Sequence, residues 1–448
     1  MRLAVFSPMP PVSSGVADYT RDLVGELGRR HTIDVFVDAR DLAVPPSDGV
    51  ARHLSAHEFP WRQHRDAYDL VVYQIGNSWC HDFTWPYLFR YPGLVVLHDG
   101  QLHHARAWSL LRRKRTDDYR AELHFNHPDV PAEAAEIALS GFAGHVYRLW
   151  PMLRATVTSA KLVAVHNPRL ADDLASTFPS TPVRAIRMGV PAADASDEAR
   201  GAVRARHGLA SSDIVVAAFG GVTPEKGLAP LLRAVWAARR HHPGLRVLLV
   251  GPRHPHYDVM AHAREVGVGD IVTVTGHVPD ADLGAYLASA DIVSCLRFPS
   301  GHETSASWLR ALAAGRPTLV TDLEQQVDVP MLDPRSWTPM QADAKGEPEA
   351  PVAVAIDLLD EVHSLTLAVK RLAADASLRA SLGAAARRYW HRHHRVTDMV
   401  DDYERVTEEA ARRPNPDVSL PPHLRPDSFA HTRQLLARFG LDVPGLSL

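Results

Sequence analysis

Short, nearly continuous apolar runs alternate along the chain with stretches in which apolar residues recur every three or four positions. Arg2 to Ser7, Thr32 to Val37, Leu70 to Gln74, Leu94 to His98, Leu162 to His166 and Val183 to Ile186 have strand length and are mostly apolar throughout. That pattern predicts parallel strands covered on both faces. Val16, Tyr19, Leu23 and Leu27 share one stripe and predict a helix over about 16–29. A second series begins at Ile214, with strands predicted at Ile214 to Phe219, Leu245 to Val250, Ile271 to Thr275, Ile292 to Cys295 and Thr318 to Thr321. Helices are expected between them at about 228–241, 257–266, 281–289 and 304–314. Two doubly wound α/β domains follow from this alternation, with a boundary near 188–212. From Leu367 to about Arg413 the pattern is helical with breaks. Five prolines between Pro414 and Pro426 and an amphipathic segment, Phe429 to Phe439, end the chain. No repeat of solenoid period is present.

The chain has 448 residues, 46% hydrophobic and 23% charged, which is ample for two or three domains with full cores. Forty-nine basic against 52 acidic residues give a net charge of -3, so no global attraction to nucleic acid is expected. Two cysteines, Cys80 and Cys295, form neither a disulfide framework nor a zinc pair, which fits a reducing cytosol. The opening apolar run is too short for the core of a signal peptide, and no run reaches the length of a membrane span. A basic run, Arg112-Arg-Lys-Arg115, could dock on an anionic surface. Asp117, Asp118 and Glu122 follow at helical spacing and can pair with it, so it is read as a solvated face and membrane contact as at most peripheral.

The chemistry narrows by what is missing: no G-x-G-x-x-G after a strand, no P-loop, no G-x-S-x-G and no H-E-x-x-H. Asp280-Ala-Asp282 could bind a metal diphosphate, but it opens the helix at 281–289 and is read as helix capping. No histidine spacing supports a zinc site, so no metal is expected.

Four segments at predicted strand ends carry candidate chemistry. In Pro10-Pro-Val-Ser-Ser-Gly15-Val16, Gly15 lets backbone approach a ligand, and the free amides of a helix start suit an anion; a plain turn is the alternative. Val95-Val-Leu-His98-Asp99 ends a buried strand in two polar residues at the edge where such sheets bind ligands. Phe219-Gly-Gly-Val-Thr-Pro-Glu-Lys226-Gly227 places one of only five lysines in a glycine-rich turn, a phosphate seat. Pro299-Ser300-Gly301-His302-Glu303-Thr304-Ser305-Ala306 turns the chain into a helix whose small first residues would admit a diphosphate. Glu303, Ser307 and Arg310 follow at i, i+4 and i+7, and that helix face is expected to line the cleft.

These segments together resemble the retaining, nucleotide-sugar-dependent glycosyltransferases of family four. The resemblance spans about residues 1–410 and rests on Pro-Pro-x-x-x-Gly-Val-x-x-Tyr, Leu-His-Asp, Pro-Glu-Lys-Gly, Ala-Asp-Ile-Val-Ser and Ala-x-Ala-x-Gly315-x-Pro317. It implies a GT-B fold: an N-terminal acceptor domain (1–189, with a helical insert at about 103–158), a C-terminal nucleotide-sugar domain (190–385), and C-terminal helices and a Pro-rich tail (386–448) crossing back to the first. It also implies a nucleoside-diphosphate sugar as donor, a small-molecule or glycan acceptor and no separate cofactor. His98, Asp99 and Glu303 take the catalytic places. Gly15, Val16, Lys226, Thr304, Ser305, Ala306, Arg310 and His302 take the donor places, with the base near Gly251, His277 and Val278. Trp108, Tyr119 and Trp150 of the insert are expected to shape the acceptor pocket.

The sequence departs from the family at its signature. The two glutamates of E-x7-E fall on His302 and Arg310, and the arginine before Pro-Glu-Lys-Gly is Gly221. Glu303, one place later as in a Gly-Glu-Thr-Ser variant, is the candidate replacement. The alternative reading is a glycosyltransferase-like binder without sugar transfer.

Overall fold

The computed structural model describes residues 1–41, 49–340, 350–425, 436 and 438–440. Nearly all of the terminal segment from Phe429 to Phe439 lies outside them. Two seven-stranded, wholly parallel sheets build two α/β domains. The first contains β1 (Arg2–Phe6), β2 (Thr32–Val37), β3 (Arg52–Ser55), β4 (Leu70–Ile75), β5 (Leu94–Leu97), β6 (Leu162–Val165) and β7 (Val183–Ala185), in the order 3-2-1-4-5-6-7. The second contains β8 (Ile214–Phe219), β9 (Leu245–Val250), β10 (Val272–Val274), β11 (Ile292–Ser294), β12 (Thr318–Thr321), β13 (Met331–Leu332) and β14 (Ala353–Ile356), in the order 10-9-8-11-12-14-13. This is the GT-B architecture.

Central strands are buried along their whole length, as in Leu70–Ile75 and Leu94–Leu97, which is why they read as unbroken apolar runs. Strand order reverses between β1 and β4 in the first sheet and between β8 and β11 in the second. In open α/β sheets the crevice beyond the carboxyl ends at such a reversal is where ligands bind. The loops after these four strands therefore border the site.

The insert is not one long helix. It folds as His103–Leu111, Thr116–Asn126, Glu133–Ile137, Ala143–Leu149 and Arg154–Thr158, around a small core of its own that includes Ala107, Leu110, Tyr119, Leu123, Val146 and Met152. Tyr119 is fully buried there and hydrogen-bonds His103 Nε2 at 2.8 Å, so it does not reach the cleft as the sequence suggested. Trp108 sits against Trp79 and the Arg112 guanidinium, and Trp150 caps His103 through its carbonyl. Within the basic run, Arg113 pairs with Asp82 at 2.5 Å and Arg115 with Asp118 at 2.6 Å. Glu122 is not available to that run, because it is buried against Arg106.

The helix Ala376–His393 lies on the second domain, where the Arg387 guanidinium meets the Ala313 carbonyl. The chain then crosses, and Val396–Ala411 packs on the first domain: the Tyr403 hydroxyl lies 2.8 Å from that of Tyr19, and Asp402 pairs with Arg187 at 2.8 Å. Among the described residues no helix is long and apolar enough to cross a membrane.

Candidate active site

Between the facing sheet edges lies a cavity of about 610 Å³. From the first domain it is lined by Ser14, Gly15 and Val16 after β1, by Gly76, Asn77 and Ser78 after β4, and by His98 and Asp99 after β5. From the second it takes Gly220, Gly221 and Lys226 after β8 and the turn from Arg297 to Ser307 after β11. Among the described residues the insert adds His104 and Arg148, and Trp108, Tyr119 and Trp150 do not line the cavity.

His98 is partly buried, and its Nε2 lies 2.8 Å from Gln74 Oε1. A carbonyl oxygen there makes Nε2 the protonated nitrogen and leaves Nδ1 as acceptor. Gln74 is held in turn by the Tyr403 hydroxyl at 3.1 Å, so the crossing helix 396–411 positions the histidine of the other end of the chain. Burial, with His166 and His81 nearby, holds the His98 imidazole well below its usual range. Burial pushes His81 and His166, which line the same wall, down to about 4. All three rings are therefore neutral at physiological pH, and neither ring nitrogen of His166 has a hydrogen-bond partner among the described residues. Asp99 accepts the Asn77 amide at 2.8 Å, and burial with the Glu303 charge opposite raises it to about 6.

Lys226 ends a 3-10 turn, Pro224–Lys226, and Gly227 at φ 59° starts the helix Leu228–Arg239. The left-handed φ explains a glycine there. The ammonium donates to the Phe219 carbonyl at 2.5 Å, and burial together with the adjacent Arg297 lowers it to about 8. Arg297 is the second cation of this wall. It enters from the end of β11, while Gly221, where the resemblance expects an arginine, leaves open space.

The helix expected at 304–314 begins later, at Ala306, with Ser305 as its cap accepting the Trp308 amide at 3.3 Å. The first-turn amides of Ala306 and Ser307 are unused inside the helix and face the cavity wall. Thr304 donates to the His166 carbonyl at 3.0 Å, and the Gly100 amide to the Gly301 carbonyl at 2.6 Å, tying the two domains together at the mouth. Glu303 precedes the helix. One of its oxygens meets Arg297 at 2.7 Å, and the other accepts from Ser300 at 2.9 Å and the Gly301 amide at 2.6 Å.

Other expectations are corrected. Because Glu303 is outside the helix, it shares no face with Arg310. Arg310 turns from the cavity to Asp280 at 2.5 Å and Asp22 at 3.8 Å, and Arg21 meets the same Asp280 at 2.7 Å. Asp280 is thus no helix cap: Pro279 holds that position, and neither Asp280 nor Asp282 makes a capping hydrogen bond. Burial opposes its ionisation, but Arg310 and Arg21 outweigh it and hold Asp280 below the usual carboxylate range. His302 adopts φ 59° to turn the loop, donates its amide to Ser300 at 3.0 Å and does not line the cavity. Gly251 packs the ends of β8 and β9 together, since a Cβ there would lie 2.0 Å from the Gly220 carbonyl oxygen. His277 is exposed and Val278 packs on the domain core, so neither lines the cavity.

Arg310→Ala should therefore leave diphosphate affinity within about twofold and lower Tm by about 1–3 °C, the scale of a partly exposed ion pair. Calorimetry beside a thermal melt checks this, and a tenfold loss of affinity would return Arg310 to the donor site.

Comparison with known proteins adds to this geometry. Residues 213–333 match the family model described as glycosyl transferases group 1. The match falls on the second domain. A D-inositol 3-phosphate glycosyltransferase of Segniliparus rotundus is 32% identical over 165 residues, covering 34% of this chain and 36% of that protein. The chain thus matches about a third of that relative's length. A GDP-mannose-dependent alpha-(1-6)-phosphatidylinositol monomannoside mannosyltransferase of Mycolicibacterium smegmatis is 24% identical over 408 residues, covering 87% and 93%. Among solved structures, Anabaena HepE in complex with UDP-glucose superposes with a TM-score of 0.61 at 13% identity over 91% of this chain and 99% of that one, a likeness of fold. Lys226, Arg297 and the 306–313 helix start lie within the matched residues, and His98 and Asp99 face them from the first domain.

The sequence reading missed Gln74, Tyr403, His166 and Arg297. A glutamine in an otherwise apolar buried strand was the available signal for Gln74. The other three depend on how distant segments meet.

Proposed function

We propose that the chain transfers a sugar from a nucleoside-diphosphate sugar to an acceptor hydroxyl, with retention at the anomeric carbon and without a metal ion. One observation carries this reading: two cations and a helix start on the second domain face neutral histidines and a carboxylate on the first, across one cavity. Lys226, Arg297 and the amides of Ala306 and Ser307 would hold the diphosphate and take up the charge that grows on it as the bond from sugar carbon to phosphate oxygen breaks. The acceptor oxygen bonds to that carbon on the same face, and its proton passes to the departing phosphate oxygen. His98, fixed by Gln74, orients the sugar through its Nδ1 acceptor, and the histidine-lined wall accommodates a hydroxylated acceptor. The names of the relatives, which concern inositol and mannoside acceptors, support a polyol or sugar hydroxyl.

Incubating the chain with a panel of nucleotide sugars and following release of nucleoside diphosphate tests this directly. At least one donor should be hydrolysed slowly, at the same rate within about twofold with EDTA present, because cations of the protein replace a metal. Loss of turnover in EDTA would overturn the metal-free mechanism. Binding without hydrolysis of any donor would leave the chain as a nucleotide-sugar binder.

A further inference from the structure

A larger groove, about 860 Å³, lies at the opposite end of the first domain. Lys161 immediately precedes β6 and Pro182 immediately precedes β7, so the groove sits at the amino edge of the sheet, away from the cleft at the carboxyl edge. One wall is the helix Thr116–Asn126 and the other is the tail from Arg413 to Arg425, which runs past it. Four cations line it, Arg154, Lys161, Arg413 and Arg425, against one carboxylate, Asp417, in a chain whose net charge is -3.

Two of these cations are spoken for. Arg413 pairs with Glu409 at 2.6 Å, and Arg425 donates to the Leu420 carbonyl at 2.8 Å. Arg154 and Lys161 have no ion pair among the described residues, and the Nε atoms of Arg154 and Arg413 are buried without a hydrogen-bond partner. A buried donor left unpaired costs free energy and calls for an acceptor. The remaining wall is mixed: Phe125, Pro182, Leu420 and Pro421 give it apolar surface, and His124, Ser180 and Asn415 add polar groups.

We propose that this groove is a second ligand site, one that takes a free phosphate monoester carrying an apolar body. Arg154 and Lys161 bind the dianionic head, with the buried Nε of Arg413 beside them, and the apolar part of the wall around Phe125, Pro182 and Pro421 receives the body. Guanidinium and ammonium groups together match a phosphate's charge and several acceptor oxygens. The site is independent of the proposed transferase reaction.

Calorimetric titration of the full chain with hexyl phosphate tests it. One saturable site is expected, with affinity at least tenfold lower in Arg154→Gln/Lys161→Gln, unchanged in Lys226→Ala, and higher than for inorganic phosphate. Lys161→Gln alone, at a partly exposed position, should weaken binding at least threefold and guards against misfolding of the double variant. Absence of saturable binding, or equal binding by the double variant, overturns the site. Equal affinity for inorganic phosphate overturns the apolar half. Co-flotation with phosphatidic acid vesicles that disappears in the double variant overturns the free ligand in favour of a lipid headgroup.

Discussion

Lys226→Ala is expected to weaken nucleoside diphosphate binding by about tenfold to a hundredfold, the worth of a charge-assisted contact of about 1.5–3 kcal/mol. The ammonium is buried against the Phe219 carbonyl and shares its wall with Arg297. Its pKa of about 8 gives the prediction a pH signature. Burial favours the neutral amine, so the ammonium population of the free protein falls as pH rises through about 8. Above pH 7 the diphosphate itself is already ionised. Affinity should therefore drop roughly fivefold from pH 8 to pH 9 in the native chain and stay flat in Lys226→Ala. The linkage to stability has the opposite consequence. A lysine whose folded pKa lies below its unfolded value destabilises the fold fully below about pH 8, and the cost fades as pH rises toward the unfolded value. Lys226→Met should accordingly melt higher than the native chain at pH 7 while binding diphosphate poorly. Calorimetry between pH 7 and 9 and a melt at pH 7 check both halves, and unchanged affinity in a folded Lys226→Ala would remove the phosphate role.

Much of this fold could be read from local pattern because parallel strands buried on both faces must be apolar throughout. Leu70–Ile75 and Leu245–Val250 announce themselves for that reason. Arg52–Ser55 does not, since an edge strand with Arg52 and His53 only partly covered carries no such run, and Met331–Leu332 is too short to show a period. Candidate residues at strand ends were legible to the same degree as the strands. Once β5 ends at Leu97 and β8 at Phe219, His98, Asp99 and the turn holding Lys226 fall at the carboxyl edge.

Arg310 was misread for a physical reason. Helical spacing places Glu303 and Arg310 on one face only if the helix starts before Glu303, whereas the Ser305 cap starts it at Ala306. The ion cluster of Arg310, Asp280, Asp22 and Arg21 joins segments of both domains, and its charge pairs exist only in their docked arrangement. The position of Tyr403 beneath Gln74 is of the same kind. Neither periodicity nor capping encodes it.

Glu303→Gln tests whether the altered signature loop still serves the reaction. In the native chain the carboxylate balances Arg297 at 2.7 Å and holds the turn through Ser300 and the Gly301 amide. Glutamine keeps an acceptor for the turn but removes the charge. Arg297 is then unpaired beside Lys226, and the cavity gains one net positive charge. Diphosphate affinity should stay within about threefold, or rise, because the freed guanidinium can reach the anion. Turnover should fall about tenfold to a hundredfold, the worth of one charge-assisted contact, through loss of the carboxylate from the sugar side and displacement of the turn. Two titrations should move with it. The Glu303 charge helps to raise Asp99 to about 6, so removing it shifts the acidic limb of the rate profile to lower pH. It also supports the Lys226 ammonium, so the basic limb near pH 8 shifts downward too. A merely structural glutamate would lower Tm and move both limbs through the same charge loss, but leave turnover at the pH optimum near the native rate. Steady-state rates from pH 5 to 9 with a hydrolysable donor, read beside calorimetry and a melt, separate the two. Native turnover at the pH optimum would assign the loop to the scaffold and leave His98, Arg297 and Lys226 to carry the reaction.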